Sequence, residues 1–411
     1  MPKYDLTIAG AGLGGLSVAA LMSRSGKKVI ILESGASLDA ALGVRAFDGF
    51  LFSQGTTLFS GDEQGGSFSE VFTEFSSKPV APEPVHCFQV ALPDRRITVS
   101  ANQAETHAEL KREFPMEIES IEKCYHDIKK ESERIQKSRI AAYFAKHKRA
   151  SGFIGNYHLS REFTIFLEMQ SLFFFRKPLS QLSLTKLITL LDTMPARFHH
   201  GSRALADRLL TDFRKSGGDI AFGEGTAEIA FKKGRLFSIK TERREIEAKA
   251  VLLSVPHQQT PVYFLGIRDN VVPVSMAQDV LYLPDYSRSD EFFFISISAD
   301  NDISSAPMGA RTLTVSLRSP NNRRRDQDDF IVPLADIVPF LEENVMFMEP
   351  SPVISPSFKL SDVVKLKAIR STGMTPLLFK TSKRNLYMLH DTLDMPQELM
   401  NAVRKFVATN L

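Results

Sequence analysis

Residues 4–33 open with Tyr4-Asp5-Leu6-Thr7-Ile8-Ala9 and continue Gly10-Ala11-Gly12-Leu13-Gly14-Gly15. An uncharged run from Leu16 to Ser23 follows, then Gly26, then Lys28 to Leu32, closed by Glu33 and Ser34. The first six residues predict a short buried strand. The glycines fit G-x-G-x-x-G. Leu16 to Ser25 reads as a helix, with Ala19 and Ala20 small enough to approach a sheet. Gly26 stands where a C-cap glycine ends a helix. Lys28 to Leu32 is a second apolar strand. Strand, glycine turn, helix and strand in register predict a βαβ unit of a parallel, doubly wound sheet.

Each piece has a mechanical reason. Gly10 permits the tight turn out of the strand. Gly12 lets backbone N–H groups come close to a pyrophosphate, with Leu13 and Gly14 beside it. Gly15 lets helix and strand pack closely. The helix N-terminus adds partial positive charge. Glu33, with Ser34 beside it, is placed to accept hydrogen bonds from the ribose hydroxyls of an adenosine. A carboxylate there repels a 2′-phosphate, so NADP is disfavoured. The fingerprint alone fits FAD and NAD equally.

The rest of the chain narrows the class. A length of 411 residues suggests two domains, perhaps three. The 43% hydrophobic and 24% charged residues are ordinary globular composition, which excludes disorder and collagen. Lys plus Arg is 51 against 48 Asp plus Glu, so the chain carries no electrostatic footprint for nucleic acid. Aromatic bulk is 31 Phe against 8 Tyr and no Trp, which calls for dry packing. Cys87 and Cys124 form no framework, and the scattered histidines show no metal-ligand spacing. The run Leu6 to Ser23 is broken by four glycines, and no other uncharged run is long enough to span a bilayer. The expectation is a cytoplasmic protein without a transmembrane segment.

Further along, Gly43-Val44-Arg45 is followed by a hairpin-like stretch from Phe47 to Phe59 that contains Gly55-Thr56. His200-Gly201-Ser202-Arg203 opens a helix with Leu205, Leu209 and Phe213 on one face. Strand-like segments begin at Asp219, Thr226, Arg235 and Glu247, the last ending at Ser254-Val255-Pro256. Asp300 to Gly309 is a turn, and Asn385 to Thr392 a final strand. Together these blocks resemble the phytoene desaturase and carotenoid isomerase branch of the amine oxidase flavoprotein superfamily. The resemblance implies an FAD-binding domain assembled from residues 1–75, 195–265 and 365–411. It implies a substrate or cap domain from 76–194 and 266–364. It further implies that Arg45, Gly55 and Thr56 lie beside the flavin and pyrophosphate, that backbone near Thr226 meets the adenine, and that Asp391 and Thr392 face the ribityl and pyrophosphate region.

The C-terminus departs from that family's pattern. His390 stands for a glycine, and Pro396 to Ala402 carries no glycine where the family's terminal helix meets the flavin. Glu398, Leu399 and Met400 bring charge and bulk to that turn, so FAD is expected to be held weakly. Between the blocks, Asn102 to Arg149 is charged and periodic, predicting amphipathic helices. Phe163 to Phe175 is the most apolar helical segment, read as core, as the lining of an apolar pocket, or, with Arg176 and Lys177, as a membrane-surface contact. Ser319 to Asp329 is a self-neutralised solvated loop.

No catalytic acid, base or nucleophile stands out. Two readings stay open. One is an FAD-dependent oxidoreductase acting on an apolar, polyene-like small molecule. The other is a degenerate dinucleotide-binding protein that serves a protein partner without catalysis.

Overall fold

The computed structural model describes residues 1–42, 44–52, 58–60, 83–197, 202–232, 235–256, 262–318, 328–350, 366–369, 377–391 and 396–410. The first strand, Lys3–Ala9, lies between Val29–Glu33 and Glu245–Pro256, parallel to both. Asp219–Phe222 extends the sheet in parallel beyond Val29–Glu33, and Leu386–Asp391 beyond Glu245–Pro256. Leu378–Thr381 and Leu366–Ala368 continue it antiparallel. The hairpin of Thr226–Lys232 and Arg235–Thr241 attaches to Glu245–Pro256.

Alternation dictates the layers. Val29 and Ile31 pack with the helices Leu13–Arg24, Ser202–Lys215 and Pro396–Asn410. Ile30 and Leu32 point the other way, toward Ile229, Phe231 and Ile239 of the hairpin. Burial on both faces is why this strand reads as a continuous apolar run. The glycine-led helix begins at Leu13, three residues before Leu16, because Gly12 is its N-cap and Gly14 and Gly15 form its first turn. It ends where expected, with Gly26 in the left-handed region at φ +78°. On the terminal helix the expected face of Leu399, Val403, Phe406 and Val407 is buried.

A second sheet holds Val345–Pro350, Val262–Arg268, Ala310–Arg318, Phe292–Ile297, Asp279–Tyr282, Cys87–Leu92 and Arg95–Ser100, in that order. All of its pairs are antiparallel except Asp279–Tyr282 with Cys87–Leu92. A division of the chain at residue 265 would cut Val262–Arg268, which pairs along its whole length with Ala310–Arg318 in this sheet. The predicted amphipathic helices are Gln103–Glu113, Ile118–Lys137 and Arg139–His147. They pack with Arg161–Phe175 and Leu184–Asp192 over one face of the sheet. Phe163, Phe166 and Phe173 of Arg161–Phe175 are core, so this helix turns no apolar face to a membrane. The solvated loop stops short of Asp328, which opens the helix Asp328–Leu334; residues 319–327 lie outside the described residues. Both cysteines are free, and burial pushes the Cys124 thiol up to about 12.

Candidate functional site

The glycine turn is closed from three sides. Gly10 has φ +105°, and a Cβ there would stand 2.5 Å from the Ser254 carbonyl oxygen. A Cβ on Gly15 would stand 2.5 Å from the Gly10 carbonyl. These two positions therefore require glycine for backbone conformation and for close approach. The ends of Lys3–Ala9, Glu245–Pro256 and Leu386–Asp391 meet here, at the carboxyl edge of the parallel strands, where open α/β sheets bind ligands.

What faces the helix N-terminus is a carboxylate of the chain itself. Asp391 Oδ2 accepts hydrogen bonds from the Gly14 N–H at 2.8 Å, the Gly15 N–H at 3.4 Å and the Ser254 hydroxyl at 2.9 Å. A Cβ on Gly12 would run into the same carboxylate. Unpaired N–H groups at a helix start favour an anion, and Asp391 supplies one. Burial pushes the Asp391 carboxyl above the usual carboxylate range, against the lowering effect of Ser254 and the two amides. The Leu13 side chain is core, so only its backbone is available to a ligand.

Glu33, at the end of Val29–Glu33, is buried. Its Oε2 accepts the Ala11 N–H at 2.7 Å and its Oε1 the Gly35 N–H at 2.7 Å. Ser34 is exposed, and its hydroxyl reaches Glu33 Oε1 at 3.4 Å. A carboxylate oxygen offers about two acceptor sites, so Glu33 keeps capacity for ribose hydroxyls. The Glu224 N–H donates to the Glu33 carbonyl at 2.8 Å, which ties in the loop before Thr226. The Glu224 carboxylate takes Arg244 through Nε at 2.8 Å and Nη2 at 2.9 Å. Burial alone would raise the Glu224 carboxyl; Arg244 and Thr241 outweigh it and hold it below the usual range.

Two of the sequence-predicted residues carry orphan buried atoms. Among the described residues, Thr226 Oγ1 and Arg45 Nε have no hydrogen-bond partner. Arg45 opens the short hairpin of Arg45–Phe47 and Phe50–Phe52. Buried polar atoms are nearly always paired, so such orphans mark places for a missing partner. Gly55, Thr56 and Thr392 lie outside the described residues. A dinucleotide fits the residues present: a cradle that a Cβ would fill, an acid at the ribose position, and orphan donors. The Ser254 hydroxyl was not among the expected ligands, although its place at the end of a central parallel strand pointed to it.

At the terminal helix, Glu398 is paired with Lys186 Nζ at 3.3 Å, and both are largely buried. Its charge is therefore neutralised by the cap rather than left to face a flavin. Leu399 and Met400 are in the core, and a Cβ on Gly14 would come within 2.9 Å of Leu399 Cδ1. Lys186 lies on Leu184–Asp192, whose far end lines a cavity of about 340 Å³ in the helical cap. Phe88, Leu110, Ile121 and Phe174 supply apolar wall, and about half of the lining is polar, with His107, Glu122, His126, Lys129 and Asp192 beside Tyr125 and Gln170. Gln170 is 2% exposed; its Nε2 donates to the Phe166 carbonyl at 2.9 Å, and its Oε1 is an acceptor. Burial raises the Tyr125 phenol above its ordinary value, so it stays a donor. The helix Arg161–Phe175 thus contributes both core and, through Gln170 and Phe174, cavity lining.

Residues 8–75 match the model of the NAD(P)-binding Rossmann-like domain. The chain is 28% identical over 127 residues to a prolycopene isomerase of Daucus carota, covering 30% of this chain and 21% of that protein. It is 26% identical over 141 residues to an inactive all-trans-retinol 13,14-reductase of Danio rerio, covering 33% and 23%. The matches thus span about a fifth to a quarter of the length of these relatives. Among solved structures, an oxidoreductase from Methanosarcina mazei superposes with a TM-score of 0.65 at 15% identity, covering 98% of this chain and 100% of that one. A Rab GDI from Plasmodium falciparum gives 0.63 at 11%, covering 100% and 98%. A putrescine oxidase gives 0.58 at 11%, covering 99% and 98%. The resemblance drawn from the sequence blocks agrees with these matches, and the fold is the one these structures share.

Proposed function

We propose that the chain is an FAD-dependent oxidoreductase acting on an apolar small molecule. The observation that carries this reading is the cradle, where glycine is required on steric grounds beside a helix start, with an acid at the ribose position 22 residues from the turn. When bound, the flavin would supply the hydride or electron chemistry. The residues supply position and dryness. The N–H groups of Gly14 and Gly15 would hold the pyrophosphate, and Glu33 would accept the ribose hydroxyls. Arg45 would lend its orphan donor to the cofactor, and backbone at Thr226 would border the adenine. Asp391 competes with the pyrophosphate for the same amides, so its carboxylate must yield or be protonated for full occupancy.

The cap cavity is the substrate seat in this reading. Its apolar wall of Phe88, Leu110, Ile121 and Phe174 would take the apolar part of the molecule, and the polar half of the lining, Gln170 and Tyr125 included, a hydrogen-bonding end such as a hydroxyl. The two curated relatives are named for apolar molecules, prolycopene and retinol, which supports the class. The test is reconstitution: the purified chain, incubated with FAD and desalted, should retain flavin, and Glu33→Leu should not.

One observation favours a second reading. The chain's own carboxylate takes up the amides of the anion seat, as it would in a folded, non-catalytic subunit that serves a protein partner. Failure to retain FAD at any pH, with Asp391→Asn failing as well, would select it.

A further inference from the structure

The helix Arg139–His147 leaves a large apolar face in water. Ile140 is 71% exposed, Tyr143 63% and Phe144 64%. They fall at i, i+3 and i+4, so they share one side of the helix. The opposite side, at Ala145, packs on the cap. Tyr143 and Phe144 meet edge to face at 5.9 Å, and the Tyr143 ring meets His147 at 4.6 Å. Other exposed apolar residues, such as Met116, Val274 and Met308, are scattered singly along the chain and need no account.

Along the chain, the segment that carries this face has charge of one sign. From residue 137 to residue 149 the chain carries Lys137, Arg139, Lys146, Lys148 and Arg149, and no Asp or Glu. Lys137 has a neighbour in Glu133, at 3.9 Å, and Arg149 Nη1 reaches the Ser180 carbonyl at 3.5 Å. No salt bridge is formed by Arg139, Lys146 or Lys148 among the described residues. Lys148 Nζ lies over the Phe153 ring at 5.7 Å. An Ile, a Tyr and a Phe on a short helix, flanked in the chain by Lys and Arg, suit the boundary between anionic headgroups and acyl chains.

We infer that this face docks the protein on an anionic lipid bilayer. Ile140, Tyr143 and Phe144 enter the interface while the flanking basic residues engage the headgroups. The helix belongs to the same cap that encloses the apolar cavity, so docking would bring that cavity to a source of apolar ligand. The inference stands apart from the cofactor reading, because it is tested with no dinucleotide present.

The experiment is co-sedimentation of the full chain with sucrose-loaded vesicles. One set is phosphatidylcholine alone and the other contains about a third phosphatidylserine. Most of the protein should pellet with the anionic vesicles and stay in the supernatant with the neutral ones. The double variant Ile140→Glu/Phe144→Glu should lower the bound-to-free ratio at least tenfold, with an unchanged circular dichroism spectrum. Because the chain has no Trp, Phe144→Trp places a single indole on the face, and its emission should shift to the blue only with anionic vesicles. Equal partition into both vesicle types, equal binding of the double variant, or an indole that stays in water would each overturn the proposal. So would a concentration-dependent dimer, abolished by the double variant, that ignores vesicles.

Discussion

Asp391 Oδ2 lies 2.8 Å from the Gly14 amide nitrogen, across 377 residues of sequence. This contact puts an acid from the last strand onto the start of the first helix. It makes the anion seat of the glycine turn a place already filled by the chain, and it gives that seat a dependence on pH.

The sign follows from the raised carboxyl. Burial makes the folded state hold the Asp391 proton more tightly than the unfolded chain does. The stability this group contributes is fully present below the ordinary carboxylate range and is lost as pH rises through the raised value. A neutral carboxyl also repels a pyrophosphate less. FAD binding should therefore tighten as pH falls through the same window. Asp391→Asn should flatten the dependence and tighten binding about tenfold at pH 8, roughly 1.4 kcal/mol. Titration of flavin fluorescence at pH 5 to 8 measures both.

Gly12→Ala should act through the same carboxylate. Its new methyl group runs into Asp391 and the seat beside it. We expect at least a tenfold loss of FAD affinity, read by equilibrium dialysis, with far-ultraviolet circular dichroism retained. Undiminished affinity would show that no phosphate approaches this turn.

Glu33→Leu removes the acceptor of the Ala11 and Gly35 N–H groups, and with it the ribose contact proposed for this acid. The loss of a hydrogen bond to a charged acceptor is about 1.5–3 kcal/mol. Both FAD affinity and thermal stability should fall, and Glu33→Gln should restore part of each. A stable variant with normal affinity would remove Glu33 from the site.

Lys186→Met should leave Glu398 buried without its cation. Breaking a buried pair costs about 3–5 kcal/mol; Lys186 keeps some access to water, so the lower end applies. Lys186→Met/Glu398→Gln should recover most of the loss in urea denaturation. If the double variant is no better than the single one, the pair is not what holds the cap helix to the terminal helix.

Gln170→Leu addresses the cavity. 1-Dodecanol should displace a bound neutral dye at a concentration several-fold below that needed for methyl undecyl ether, which accepts hydrogen bonds but cannot donate. The variant should erase that preference while still binding both. Equal displacement by the two in the wild-type chain would refute a hydroxyl-selecting cavity.

The first thirty-three residues announced their fold because strand, turn and helix each satisfy a local rule at a fixed spacing. Gly10 and Gly15 were readable for the same reason: their glycine requirement is local and steric. The helix start was displaced because Gly14 and Gly15 look unhelical by propensity, yet they are held in the first turn by packing against Leu389, Leu399 and Gly10. Asp391 is singled out by the resemblance of Asn385 to Thr392 to the last strand of the phytoene desaturase and carotenoid isomerase branch. Its seat on the Gly14 amide is not, since a contact across the whole chain leaves no local pattern. Glu398 was read as a charge facing the flavin end because Lys186, its partner, lies 212 residues away. The cavity was hidden for a related reason. Periodicity marks the buried face of each helix but not where several helices leave room between them.

A flavin held in the glycine cradle would be visible in an absorption spectrum. The purified chain is incubated with FAD at pH 6, passed through a desalting column and scanned across the flavin bands, with Asp391→Asn and Glu33→Leu in parallel. The wild type should emerge yellow with partial flavin content, Asp391→Asn with higher content and Glu33→Leu with near none. Wild-type and Asp391→Asn chains that both emerge colourless would contradict flavin binding in the cradle.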